Sequence, residues 1–136
     1  LPLVPREKLP EMLSASDIGL VIQKKTVTAF NLPSKIPVIL ASGRPIIASV
    51  PNTGTAMRVV KESGAGIVVT PEDFQALAQA ILELYKNPEK LEQLGRQGRK
   101  YAEENFGLKT VLNSYEALFA EILSHQERGE KKKGKG

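Results

Sequence analysis

The chain has 136 residues, 41% of them apolar and 25% charged, which suits a soluble domain with a real core and excludes a disordered chain. It has no cysteine and a single histidine, His125, so neither a disulfide framework nor a metal cluster is expected. The net charge of +4 is no nucleic-acid footprint, because the tail from Gln126 on holds Arg128 and four lysines against Glu127 and Glu130, and so carries three of those four charges.

In chain order, "REKLPEMLSAS" reads as a short helix whose regular part lies on one side of Pro10. "DIGLVIQ" (17–23) is a short β-branched apolar run, read as a buried strand, with residues 2–4 as a candidate added strand. "KKTVTAFN" is a polar loop in which Thr26 and Thr28 could line a cleft. A helix from about Lys35 to Ala41 follows, ended by Ser42-Gly43. Ile36, Val38, Ile39 and Leu40 leave it no polar stripe, so it should be buried on nearly every side. "RPIIASV" (44–50) is a second strand, stopped by "PNTG"; Thr55 to Ser63 is a short helix; "GAGIVV" (64–69) is a third strand.

After Thr70 the pattern is helical alone. "TPEDFQALAQAILELYKN" offers Thr70 as cap, Pro71 at the first helical position, and an apolar series of Phe74, Leu77, Ala78, Ile81, Leu82 and Tyr85. "NPEKLEQLGRQGRKYAEENFG" repeats the device with Asn87 as cap. A third helix, "LKTVLNSYEALFAEILSH", lines up Val111, Leu112, Tyr115, Leu118, Phe119 and Ile122 on one side, and 126–136 reads as a disordered basic tail.

Apolar strands separated by helices imply an α/β fold with a parallel sheet covered on both faces. In such folds ligands sit beyond the carboxyl ends of the strands, where loops lead into helix N-termini. Two loops qualify, 23–34 and "PNTGTA" (51–56). Ser34 can cap the helix it precedes, and Lys35 reads either as a solvated first-turn lysine or as a phosphate contact. Arg44 reads as a surface charge closing a helix, and Asp17 as a flank of its strand.

The order "VPREKLPEMLSASDIGLV", "LPSKIPVILASGRPIIAS", "GTAMRVVKESGAGIVVTPEDFQALAQAI" resembles the C-terminal, donor-binding half of GT-B glycosyltransferases, specifically the retaining family 4. The likeness runs from Val4 to about Ile122 and implies a partial Rossmann-like sheet with a helical C-terminal region. It makes 1–125 a partial nucleotide-sugar-binding domain. The family's Glu-x7-Glu pattern falls on Phe30 and Val38, so both acids are absent. The "PSK" start is similar to that of bacterial enzymes of surface-polysaccharide synthesis. By this resemblance Ser34 and Lys35 take the place of part of the acidic pattern in the donor-binding set, Val38 stands where the ribose contact would be, and Thr53, Gly54 and Thr55 contact the diphosphate through backbone N–H groups.

The resemblance implies transfer of a sugar from a nucleotide-sugar donor to a glycan or lipid-linked acceptor, with no other cofactor. No catalytic acid–base pair can be assembled from these residues. The expected partners are the nucleotide sugar and an upstream acceptor domain; peripheral membrane contact and self-association are further expectations, and nucleic acid is not. With no signal peptide in view, the cytoplasm, inner membrane face included, is the expected compartment. A non-catalytic scaffold that keeps the fold is the competing reading, favoured by the missing acids. A sugar-nucleotide epimerase shares the architecture, but no acidic or histidine base stands in these loops.

Overall fold

Three short β-branched segments become parallel strands because helices return the chain to the same edge each time. The computed structural model describes residues 5–27 and 31–133, with side chains through residue 124. After a 3-10 turn at Arg6–Lys8, the elements are α1 (Leu9–Ser14), β1 (Gly19–Ile22), α2 (Lys35–Ala41), β2 (Ile46–Ser49), α3 (Thr55–Glu62), β3 (Gly66–Val69), α4 (Phe74–Tyr85), α5 (Pro88–Phe106) and α6 (Leu108–Lys133). The sheet order is β1-β2-β3, all parallel, with Leu20 opposite Ile47 and Ile47 opposite Ile67. The expected strand at 2–4 lies outside the described residues, as do Thr28, Phe30 and the side chain of His125.

All four residues of β2 are buried, so this strand is covered on both faces. On one face Ile47 and Val69 pack with Ala80 and Leu84 of α4. Alternation sends Ile46 and Ala48 to the other face, where α2 and α3 lie. α2 packs so closely there that a Cβ on Gly19 would stand 2.5 Å from the Ile39 side chain. Burying a side chain the size of Ile47 or Leu84 stabilises the fold by about 1.5–3 kcal/mol. α5 closes the lower end of the sheet: a Cβ at Gly98 would sit 2.9 Å from that of Ala65 and 3.0 Å from Leu40 Cδ2.

Several expectations need correction. β1 is not a buried strand; only Val21 is covered, and Ile22 is 62% exposed, because α4 spans β2 and β3 and leaves the outer half of β1 open. α2 is not buried all round. Ile36, Ile39 and Leu40 are covered, but Val38 is 39% exposed, because one side of α2 faces away from the sheet. Ser34 flanks α2 with helical dihedrals and makes no side-chain cap. α4 begins at Phe74 rather than at Pro71, and its real cap is Asp73, whose carboxylate accepts from the Ala76 N–H at 2.9 Å. Of its expected apolar series, Phe74, Leu82 and Tyr85 are exposed, while Ala80 and Leu84 form the buried face.

Packing divides the chain into two units, Leu1–Glu103 and Glu104–Gly136, where the sequence suggests one domain to residue 125. In the second unit α6 is helical through Lys133, well into the stretch expected to be disordered; its Glu, Gln, Arg and Lys residues are good helix formers. The apolar side of α6 is exposed, and Tyr115 stacks with Phe119 at a ring separation of 6.3 Å.

Candidate functional site

Parallel topology fixes where chemistry can gather. α2 and α3 each follow a strand, so both begin at the carboxyl edge of the sheet. Their first turns are built differently from those of α4 and α5. At α5, Asn87 accepts the Lys90 N–H at 3.0 Å, repeating the Asp73 device of α4. α2 and α3 have no side-chain cap at all. The leading N–H groups of a helix have no partner within it; at α2 the Ile36 N–H is taken by the Pro33 carbonyl at 3.0 Å, and the others at these two ends meet no side-chain cap among the described residues.

Gly54 makes the start of α3 possible. Its φ of 117° and ψ of 176° fall in a region open essentially to glycine alone. The chain thereby turns sharply out of "PNT" and presents the Thr55–Met57 amides at the edge. Thr53 is exposed, and Gly54 and Thr55 are half-buried beside it. At α2, Ser34 and Lys35 are both exposed, and Lys35 makes no ion pair among the described residues. Val38, one turn further on, keeps its exposed apolar side chain.

The carboxyl edge also carries a hollow of about 460 Å³ that the sequence did not reveal. It is lined by Ile22, Gln23 and Lys24 after β1, Ser49 at the end of β2, and Glu72 to Phe74 with Leu77 at the start of α4. None of the six residues singled out at α2 and α3 lines it. Its wall is mostly apolar, with Lys24, Glu72 and Asp73 supplying charge. The Ser49 hydroxyl, 3% exposed as a residue, donates to the Thr70 carbonyl at 3.5 Å. The hollow lies on the α4 face of the sheet, whereas α2 and α3 occupy the other face.

Arg44 does more than close a helix. Its Nε donates to the Leu13 carbonyl at 3.2 Å and its Nη2 to the Ser14 carbonyl at 2.6 Å, binding the last turn of α1 to the start of β2. Tyr101, on α5, sits at the far end of α3 from the site. Partial burial, and then the Glu62 carboxylate, push its phenol above the usual range. Among the described residues no group of three His, Cys, Asp or Glu could hold a metal ion, and no helix is long and apolar enough to cross a membrane.

Comparison with known proteins follows the same segments. The family model described as "Glycosyl transferases group 1" matches residues 1–101. O-antigen chain mannosyltransferase C of Escherichia coli is 32% identical over 80 residues, which is 59% of this chain and 21% of that protein. The probable glycosyltransferase WbjE of Pseudomonas aeruginosa is 28% identical over 115 residues, 85% of this chain and 28% of that one. Among solved structures, the Anabaena protein HepE in complex with UDP superposes with a TM-score of 0.68 at 25% identity, covering 88% of this chain and 30% of that one. The chain thus spans between about a fifth and a third of the length of these proteins.

Proposed function

The chain belongs to the glycosyl transferases of group 1, and from that premise we propose that it forms the donor-side wall of an enzyme moving a sugar from a nucleoside-diphosphate sugar to a glycan or lipid-linked acceptor. The observation that carries the donor reading is the pair of helix starts without side-chain caps at the carboxyl edge, at Ser34-Lys35 and at Thr53-Gly54-Thr55. Departure of a nucleoside diphosphate develops negative charge on phosphate oxygens. Pre-aimed N–H groups, a helix dipole and a full positive charge stabilise that charge without reorganising. α3 supplies amides and a short dipole. α2 has only seven residues, so its contribution is mainly the Lys35 ammonium.

Val38 stands where the family resemblance places a ribose-binding carboxylate. An exposed valine accepts no hydrogen bond from a ribose hydroxyl, so on this reading the diphosphate contacts carry a larger share of donor affinity. The name of one relative, an O-antigen chain mannosyltransferase, supports a surface-glycan product.

Calorimetric titration of the purified chain with UDP, GDP and ADP tests the reading. Saturable binding of at least one of them, weakened by Lys35→Ala, is the expected outcome; heats of dilution alone for all three, up to millimolar ligand, would refute it. The isolated chain is expected to bind without turning over nucleotide sugars. Orientation against an acceptor wall and exclusion of water supply much of the rate, and the donor wall is one half of that arrangement.

A further inference from the structure

A second hollow, of about 270 Å³, lies between the Gly43-Arg44 turn and one side of α5. That turn leads into β2, so the hollow is at the amino end of the sheet, opposite the edge where α2 and α3 begin. Here α5 comes so close that a Cβ on Gly95 would stand 2.3 Å from the Gly43 carbonyl oxygen. Gly43 itself turns the chain with a φ of 70°. The two glycines let backbone meet backbone, and three arginines beside them, Arg44, Arg96 and Arg99, line the one hollow.

The bonds these arginines make hold them in place without using them up. Arg44 gives Nε and Nη2 to the Leu13 and Ser14 carbonyls at the end of α1. Arg99 gives Nη1 to the Ala41 carbonyl at the end of α2, and Nε to Glu103 Oε1 at 2.6 Å. Arg96 gives Nη1 to the Glu92 carboxylate. Carbonyls at a helix C-terminus attract a cation but carry no formal charge, and Arg44 has no carboxylate partner among the described residues. Arg44 Nη1, Arg99 Nη2, and Arg96 Nε and Nη2 make no hydrogen bond there either. The helix-end carbonyls account for Arg44 and Arg99. They do not account for Arg96, which adds a like charge to the other two and whose mostly exposed pair with Glu92 contributes little to stability.

We propose that this hollow is a phosphate-binding site separate from the donor edge, with Arg44 and Arg99 steadied by helix ends and Arg96 completing the set. Three guanidiniums against the one lining carboxylate, Glu92, leave an excess of two positive charges, which matches a phosphate dianion. Guanidinium forks meet phosphate oxygens through paired N–H bonds, a geometry a lysine cluster would lack. The ligand is a phosphate group, either in solution or on a lipid headgroup. The hollow shares no residue with the open helix ends, so the two sites stand or fall separately.

The test follows the arginine Nε–H resonances of the labelled full chain during titration with inorganic phosphate, at an ionic strength held constant with chloride. Saturable shifts at Arg44, Arg96 and Arg99 together are expected. In Arg96→Gln the phosphate affinity should fall about three- to tenfold, the range for one exposed charge-assisted contact, at an unchanged melting temperature. Lys35→Ala, at the donor edge, should leave these shifts as in the wild type. Vesicle sedimentation identifies the source of the phosphate. Pelleting with phosphatidic acid but not with phosphatidylcholine, lost in Arg96→Gln, assigns a lipid headgroup; arginine shifts without Arg96-dependent pelleting assign a soluble phosphate. Arginine resonances that move no further than in the chloride control would overturn the site. So would shifts that keep their wild-type midpoint in Arg96→Gln, or that Lys35→Ala abolishes.

Discussion

The helices of this protein open in two ways. α4 and α5 close their first turns with their own side chains, Asp73 and Asn87, while α2 and α3 leave theirs without a side-chain cap. α2, α3 and α4 each follow a strand and begin at the carboxyl edge, where parallel sheets take ligands; α5 alone of the four follows a helix. A side-chain cap is worth about 0.5–2 kcal/mol, so leaving two ends uncapped gives up stability that Ser34 is chemically able to supply. At that edge α4 closes its first turn with the Asp73 carboxylate, whereas α2 and α3 carry no such side-chain acceptor among the described residues.

The largest expected effect tests whether α2 belongs to the core despite its open end. Ile39→Asp places a charge without a partner against Gly19 and the sheet and should destabilise by about 3–5 kcal/mol, read as loss of the cooperative melting transition. A variant that melts like the wild type would mean that α2 is only loosely docked. Next comes Gly54→Ala, which forces a Cβ into a glycine-only region at a cost of about 1–3 kcal/mol. It should lower the melting temperature and weaken UDP binding together. Lys35→Ala should separate the two properties, losing about 1–3 kcal/mol of nucleotide affinity, the range of a charge-assisted contact, at constant melting temperature; unaltered affinity returns Lys35 to a solvated lysine.

The smallest effects sharpen the comparison most. Asp73→Ala should cost about 1 kcal/mol in chemical denaturation. Ser34→Ala should cost almost nothing, because Ser34 makes no capping bond. Equal losses in the two variants would erase the distinction between the two kinds of helix end.

The sequence made some of this plain and hid the rest for identifiable reasons. Strand positions, parallel pairing and the α5 cap rest on local signals, namely β-branched runs, intervening helices and Asn87-Pro88, and these were legible. The start of α4 was not. "TPED" offers Thr70 and Asp73 as rival caps, and a turn that holds Glu72 at a φ of 65° lacks the glycine that would announce it. The exposed outer half of β1 was equally hidden, since the identity of Leu20 and Ile22 says nothing about whether a neighbour covers them. The starts of α2 and α3 were readable because helix N-termini follow from topology, while the donor roles of Ser34, Lys35, Val38, Thr53, Gly54 and Thr55 rest on the family resemblance. The hollow lined by Gln23, Ser49 and Phe74 was not, because it is made by three segments that meet only in the fold.

The central claim is that nucleotide phosphates seat at the open helix ends and not at the capped ones. Residue-by-residue amide shifts during titration of the labelled chain with UDP test it most directly. The account predicts saturable shifts at Ser34, Lys35 and Gly54 through Met57, with the first turns of α4 and α5 silent at Phe74–Ala76 and at Glu89 and Lys90. Shifts confined to the capped turns, or absent from both open ends while UDP binds elsewhere, would contradict it.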